Sequence, residues 1–314
     1  MWIGRAGRLS ELTERDALTG PVLIPQQVGR RRMASLRDYV SLTKPKIALL
    51  NVLTALVCYF AAGGGSLGAV ALSAAGYLAA GGSTALNNYL DVDLDSRMRR
   101  TSRRPLPSGR VSRRAALVLG LVSSTASLAL SWLALNPLAT LFIASGMLFY
   151  VVVYTLLLKR RTVWNVVIGG VAGSFPPLAG WAAATGEIGL PAVLLAVLVF
   201  LWTPGHFWAL AIRGVEEYRA AGLPMLPVRV GVERASRITA LSNLSALPVW
   251  AAGALVVPSP TVYVLASLPL TAPFALYSLR LLRSPDPQLA WRSFKASSPW
   301  LATVSIALLA SIRL

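Results

Sequence analysis

Three oxygen-bearing side chains at the end of an apolar segment could bind a cation. Asn87, Asp91 and Asp95 recur at every fourth residue. In an α-helix each such step turns the side chain by only about 40°, so all three point along one face. Mg²⁺ favours one or two carboxylates together with water and phosphate oxygens. The spacing therefore predicts that Asn87, Asp91 and Asp95 bind Mg²⁺ bridged to a diphosphate, with Asp91 and Asp95 central to the chemistry.

Arginines follow this acidic segment at a density that membrane topology alone rarely demands. Eight lie between residues 97 and 114, among them Arg100 and Arg104. Guanidinium groups match the oxygens of phosphates, so some of these arginines are expected to hold the diphosphate. The alternative is that the carboxylates pair with these arginines in a solvated loop.

A second polar group of residues lies near position 210. His206, the only histidine, precedes Glu216 and Glu217, which cannot share one helix face. His206 could carry a proton, bind an iron atom or hydrogen-bond within the core, and the residues alone leave these options open. Cys58 is the only cysteine, which excludes an internal disulfide and a Cys/His metal cluster.

The composition predicts an all-α polytopic membrane protein. Of 314 residues, 13% are charged and 55% hydrophobic, and the mean hydropathy is +0.61, whereas an ordinary soluble domain has about 25% charged residues. Small residues such as Gly81 and Gly82 predict close helix packing. Nine apolar segments are long enough, or nearly so, to span a bilayer: 45–63, 68–88, 115–134, 138–158, 163–184, 189–212, 237–257, 260–281 and 299–313.

The basic residues predict the orientation of these segments. Of the 30 Lys and Arg residues, all except Arg313 lie on the N-terminal arm or on alternate connections, while the connections near 65, 136, 187 and 259 have none. This asymmetry predicts a cytoplasmic N-terminus and an outside C-terminus in the cell membrane. It accounts for most of the net charge of +18 and leaves little reason to expect nucleic-acid binding. We expect residues 1–37 to form a polar cytoplasmic arm and residues 38–314 the transmembrane domain.

Four ordered motifs resemble the UbiA superfamily of intramembrane prenyltransferases. They are LTKPKI at 42–47, the acidic and arginine-rich run at 87–109, the segment at 156–181, and WTPGHFWAL with EEYRAAGLPMLPV, which ends at residue 228. The resemblance implies nine transmembrane helices around a central cavity, with Mg²⁺-diphosphate on Asn87, Asp91 and Asp95. It further implies that the diphosphate contacts Lys46, Arg100, Arg104, Lys159 and Arg160.

The histidine and the PMLP run at 224–227 are similar to one branch of that family. The resemblance implies that the chain transfers a farnesyl group from farnesyl diphosphate to the vinyl group of haem B, giving haem O. Haem B would be a substrate rather than a cofactor, and His206 and Glu217 would orient it or handle a proton. A downstream haem A synthase or terminal oxidase assembly is a possible partner. Two departures from the family pattern are Gly205, where proline is common, and the pair Glu216 and Glu217.

Two alternatives remain from the sequence. A relative that prenylates an aromatic acid or a lipid alcohol would share the acidic motif but lack the PMLP run. A cation-coupled membrane transporter could use Asp91, Asp93 and Asp95 as an ion site. Transporters commonly contain internal repeats, and no second copy of the acidic motif occurs in the chain.

Overall fold

A computed structural model describes residues 34–314, and all regular structure within this range is helical. Most of the predicted arm, residues 1–37, lies outside the described residues. The helices are α1 (Leu36–Leu42), α2 (Pro45–Ala61), α3 (Ser66–Leu90), α4 (Val92–Arg97), α5 (Arg113–Ala134), α6 (Pro137–Leu148), α7 (Asn165–Gly170), α8 (Phe175–Thr185), α9 (Leu190–Arg213), α10 (Val215–Ala220), α11 (Leu226–Val230), α12 (Val232–Gly253), α13 (Pro260–Arg283) and α14 (Pro287–Arg313). A π-helix (Phe149–Leu158) continues α6, and a 3-10 turn (Val171–Ser174) joins α7 to α8.

Long helices occupy the positions of the nine predicted segments, but not all have the composition of a membrane span. Among the described residues, six helices are long and apolar enough to cross a bilayer, and α1 with α2 form a seventh span if this pair, bent by 52°, counts as one. Helices α12 and α14 do not meet this standard. Both carry charged residues in their N-terminal halves, such as Arg237 in α12 and Lys295 in α14. The polytopic all-α fold is therefore confirmed, whereas the count of nine spans is not.

The bend between α1 and α2 results from an unusual backbone conformation. Ser35 and Asp38 form a capping box that starts α1. Lys44 then has φ 47° and ψ 64°, the only positive φ of a non-glycine residue in the described chain. Pro45 follows and begins α2. A left-handed conformation costs an ordinary residue about 1–2 kcal/mol, so the surrounding contacts must hold Lys44 in place.

Glycines allow two pairs of helices to approach closely. A Cβ atom at Gly82 would lie 2.9 Å from the Ser124 nitrogen, so α3 and α5 meet backbone to backbone. A Cβ atom at Gly180 would overlap the carbonyl oxygen of Ala55, which joins α8 to α2. These approaches agree with the role expected for small residues in membrane helix packing.

The π-helix changes which side chains share a face in the middle of the bundle. Its wider turn is seen where the Lys159 nitrogen donates to the Tyr154 oxygen, five residues earlier, at 2.8 Å. The Thr155 hydroxyl likewise donates to the Tyr150 oxygen at 2.8 Å. One turn therefore takes more residues than in an α-helix, and Tyr150 and Tyr154 lie one such turn before Thr155 and Lys159. Such π-helical segments are rare and frequently occur at functional sites.

A cavity of about 690 Å³ lies among α2, α3, α6, the π-helix, α8, α9 and α14. The positively charged connections meet at one end of the bundle, where Arg110 binds Asp38 at 2.9 Å and Lys159 binds Asp91. At the opposite end, Arg313 donates to the Phe60 oxygen at 2.6 Å. Alternate connections thus lie at opposite ends, as the distribution of basic residues predicts.

Candidate active site

The three predicted metal ligands lie together at the charged end of the bundle. Asn87 closes the last turn of α3, Asp91 joins α3 to α4, and Asp95 lies in α4. Helical hydrogen bonds continue across this junction, from Asp91 N to Asn87 O at 2.9 Å and from Asp95 N to Asp91 O at 2.8 Å. The spacing of one turn is therefore kept. The residues are only 3%, 1% and 6% exposed, which excludes the solvated-loop alternative.

Each of these side chains is bound by a different cation. Lys159, just after the π-helix, binds Oδ2 of Asp91. Arg104 binds Oδ2 of Asp95 at 2.7 Å. Lys44 donates from Nζ to Oδ1 of Asn87 at 3.1 Å. The cations come from three separate segments of the chain, so that three different connections converge on one acidic helix face.

Asn87 and Asp91 offer oxygens that suit a Mg²⁺ ion which is also coordinated by a bound molecule. Oδ1 of Asp91 is enclosed and has no hydrogen-bond partner, and the Arg160 guanidinium lies 3.5 Å from it. The Asn87 amide nitrogen donates to Asp91 at 2.7 Å and to Thr155 at 3.1 Å, which turns its oxygen towards Lys44. No group of three His, Cys, Asp or Glu residues in the range 34–314 could hold a metal alone. A metal here would need further oxygens from its ligand.

Arg160 and Asp93 form a pair beside the buried carboxylates. The Arg160 guanidinium donates to both oxygens of Asp93 at 2.7 Å and to the Leu90 oxygen at 2.9 Å. This hydrogen-bonded guanidinium lowers the pKa of Asp93 below its ordinary value. Burial would lower the pKa of Lys159, but Tyr154 and the Asp91 carboxylate outweigh it and raise the pKa. Asp93 and Lys159 are therefore charged at neutral pH.

Glu216 and Glu217 have separate environments. Glu217 Oε2 accepts from the Arg100 backbone nitrogen at 3.3 Å, while the Arg100 side chain contacts the Tyr218 hydroxyl at 3.3 Å. Glu216 is exposed and binds Arg219. Glu217 thus ties the connection after α4 to α10, and its carboxylate has no contact with the metal ligands.

Lys44 is a site residue that the sequence analysis missed. It lies in the same LTKPKI run as the predicted residue Lys46. Lys46 is exposed at the cavity wall and has no ion pair or side-chain hydrogen bond among the described residues. The left-handed conformation at Lys44 directs its amine to Asn87 instead. A basic residue directly before proline at a helix start is the signal that could have indicated it.

Two tyrosines of the π-helix line the cavity next to the acidic face and were also not predicted. The rings of Tyr150 and Tyr154 stack with centroids 5.8 Å apart, and Lys159 Nζ lies 5.7 Å from the Tyr154 ring. Two aromatic faces therefore border the place where a cation or a cationic transition state could form.

His206 lines the same cavity and is held on three sides. Its ring stacks between Trp202 and Phe294, with centroids at 4.3 and 4.4 Å, and its Nδ1 is 2.7 Å from Ser297 Oγ. The Ser297 hydroxyl donates its single hydrogen to the Phe294 oxygen at 2.8 Å, so it accepts from Nδ1–H. Nε2 then keeps its lone pair and has no partner in the described part of the chain. It can accept a proton or bind a metal.

Comparison with known proteins assigns the chain to one family. A profile of the UbiA prenyltransferase family matches residues 51–305. The chain belongs to this family. Two relatives, from the archaea Cenarchaeum symbiosum and Korarchaeum cryptofilum, are 40% and 42% identical, with 85% and 87% of this chain aligned to 93% of each relative. They are named protoheme IX farnesyltransferase 1 and protoheme IX farnesyltransferase.

Solved structures show the same UbiA fold. A UbiA homologue from Archaeoglobus fulgidus, determined with GPP and Mg²⁺, has a TM-score of 0.62 and 20% identity, and the alignment covers 87% of this chain and 99% of the homologue. Family membership makes the chain a prenyltransferase and disfavours the transporter alternative. Gly205, one of the two departures from the family pattern, lies at a close contact between α9 and α12. A Cβ atom there would overlap Oδ1 of Asn243.

Proposed function

We propose that the chain transfers a farnesyl group from farnesyl diphosphate to the vinyl group of haem B, giving haem O. The observation that carries the proposal is that one cavity reaches from Ser83, one turn before Asn87, to His206. Tyr154 also lines this cavity, and Lys159, which pairs with Asp91 of the acidic face, lies 5.7 Å from the Tyr154 ring. The names of relatives at 40% and 42% identity over nearly their whole length support haem B as the acceptor.

The charged end of the cavity would bind the diphosphate with Mg²⁺. Asp91 and Asp95 supply carboxylate oxygens and Asn87 an amide oxygen, a donor set that suits this ion. When bound, Mg²⁺ would stabilise the negative charge that develops on the leaving diphosphate. Lys44, Lys159 and Arg104 already surround these oxygens and can bind phosphate oxygens without a large movement. Arg100, Arg160 and Lys46 lie farther out as candidates for the outer phosphate oxygens.

The residues below this end would protect the reactive carbon. Breaking the allylic C–O bond leaves positive charge on the farnesyl group, so no covalent nucleophile is required. The faces of Tyr150 and Tyr154 stabilise such charge. The remaining wall is largely apolar, with Phe142, Ile143 and Leu72 among its residues, which excludes water until the new C–C bond has formed.

His206 would serve the second half of the reaction. After the farnesyl carbon bonds to the terminal vinyl carbon, the positive charge lies on the carbon next to the porphyrin. Water adds there and loses one proton, which leaves a hydroxyl group. His206 Nε2, fixed by Ser297 and unpaired, is better placed to accept this proton than Glu217, which binds the Arg100 backbone. The same nitrogen could instead orient the porphyrin through its iron.

The membrane orientation follows from the same arrangement. We propose that the charged end, with its diphosphate site, faces the cytoplasm and that the C-terminus lies outside. The farnesyl chain would then extend along apolar helices into the bilayer core.

A mass assay with matched variants tests the proposal. Membranes containing the chain are incubated with haem B, farnesyl diphosphate and Mg²⁺, with and without EDTA. We expect a product heavier than haem B by a farnesyl group and a hydroxyl group, formed only without EDTA, and lost in Asp91→Asn but kept in Asp93→Asn. If haem B stays unchanged while an aromatic acid or lipid alcohol is prenylated, the haem assignment is wrong.

A further inference from the structure

A column of stacked aromatic rings leads from the cavity to the charged end of the bundle. His206 stacks on Phe294 at 4.4 Å, and Phe294 stacks on Trp291 at 4.9 Å with an interplanar angle of 13°. The Arg213 guanidinium lies 4.2 Å above the Trp291 ring, and Lys295 Nζ is 6.0 Å from it. The column therefore starts in the apolar cavity and ends on two cations.

Arg213, and the Trp291 ring that both cations contact, continue helix faces that line the cavity. On α9, Arg213 follows His206 by seven residues, which is two helical turns along the same face. On α14, Trp291 precedes Phe294 by three residues and so continues the face on which Phe294 and Ser298 line the cavity. The cations thus lie where this wall of the cavity approaches the polar end.

These two cations differ from those around the acidic face. Lys159, Arg104 and Arg160 each bind a carboxylate. Among residues 34–314, no Asp or Glu side chain forms an ion pair with Arg213 or Lys295, and both side chains are exposed. Their only close partner given by the structure is the face of Trp291, which leaves their N–H groups free to bind an anion.

We propose that Arg213 and Lys295 bind the two propionate carboxylates of the porphyrin. This proposal rests on the proposed function. A porphyrin with two carboxylates on one edge needs an apolar cavity for its ring and cations at the polar end for that edge. The acidic face cannot supply them, because its cations bind Asn87, Asp91, Asp93 and Asp95 and are the ones that would meet the diphosphate. The chain thus has separate cation groups for its two anionic substrates.

The test compares two porphyrins that differ only in their two carboxylates, which are free in one and methyl esters in the other. Purified chain in lipid nanodiscs is titrated with haem B and with haem B dimethyl ester, and binding is followed by the Soret band and by tryptophan quenching. We expect the double variant Arg213→Gln, Lys295→Gln to weaken haem B binding by about 10-fold to 100-fold, as for a lost charged hydrogen bond. Binding of the dimethyl ester and the KM for farnesyl diphosphate should stay unchanged.

Controls separate this role from a structural one. Arg292→Gln removes an exposed cation next to Trp291 that has no contact with its ring, and should change neither porphyrin's affinity. Arg213→Lys with Lys295→Arg keeps both charges and should restore most of the affinity for haem B. Equal weakening of both porphyrins would overturn the proposal, since the two residues would then only support the ring column.

The remaining outcomes distinguish other sources of an anion and the proposed function itself. If the variant's effect requires anionic lipid in the nanodisc and is equal for both porphyrins, Arg213 and Lys295 bind lipid headgroups and the proposal is wrong. If haem B binds with the expected difference from its ester but is never farnesylated, the carboxylate site stands and the proposed function falls. If the wild-type chain binds neither porphyrin, both are overturned.

Discussion

Lys44 provides the sharpest test of the site, because its neighbour Lys46 serves as a matched control. The Lys44 amine donates to Asn87 at 3.1 Å, whereas Lys46 has no ion pair or side-chain hydrogen bond among the described residues. A hydrogen bond to a charged group is worth about 1.5–3 kcal/mol. At about 1.4 kcal/mol per factor of ten, Lys44→Gln should raise the KM for farnesyl diphosphate by roughly 10-fold to 150-fold. Lys46→Gln should raise it far less.

The backbone conformation of Lys44 allows its charge and its geometry to be separated. Its left-handed conformation costs about 1–2 kcal/mol, a cost that Lys44→Gly removes. This gain offsets much of the lost hydrogen bond, so the glycine variant should unfold at nearly the wild-type temperature in detergent. Its activity should nevertheless fall as far as that of Lys44→Gln. A variant that lost activity only through misfolding would show a lower unfolding temperature together with the lower activity.

The assay is the initial rate of haem O formation against farnesyl diphosphate concentration at saturating Mg²⁺ and haem B. Thermal unfolding of the same preparations gives the stability of each variant. A Lys44→Gln variant with the wild-type KM, alongside a Lys46→Gln variant with a raised KM, would refute the assignment of the diphosphate contact to Lys44.

Three further predictions follow from the packing of the site. Asp91→Asn should lower turnover by more than the roughly 10- to 100-fold that is typical of a residue that only supports a metal site. Asp93, which pairs with Arg160 beside the buried carboxylates, is the control, and Asp93→Asn should retain most activity in the same mass assay. Thr155→Val removes the acceptor for the Asn87 amide and should lower kcat/KM about 10-fold, with Thr155→Ser close to wild type. Gly180→Ala should destabilise the bundle by about 1–3 kcal/mol in thermal unfolding, whereas Gly65→Ala, with open space around it, should not.

The acidic face could be predicted from the sequence because it depends only on local periodicity. Asn87, Asp91 and Asp95 share a face in any helix, and the helix continues across the α3–α4 junction as expected. Their partners could not be derived in this way. Lys44 lies 43 residues from Asn87 and Thr155 lies 68 residues from it, so the contacts depend on how distant helices pack.

The aromatic residues of the site illustrate a second limit. A segment such as 138–158 is apolar on all sides, so its sequence predicts a membrane helix but not the number of residues per turn. The π-helical turn decides that Tyr154 aligns with Lys159 and Tyr150 with Thr155. Under the usual helical spacing, Thr155 would have aligned with Val151 instead. The sequence alone therefore does not place two tyrosines beside the proposed diphosphate site.

The charge at the acidic face explains why metal and diphosphate are expected to bind together. Arg104, Lys159 and Arg160 pair with the three carboxylates of this region, and Lys44 adds a further amine beside Asn87, so the carboxylate charge is already balanced before any ligand binds. Mg²⁺ alone would add positive charge to a balanced site, and would have to displace cations from the oxygens it needs. A diphosphate supplies the missing negative charge and gives the displaced cations new partners. We therefore expect the acidic face to bind the two ligands together rather than either one alone.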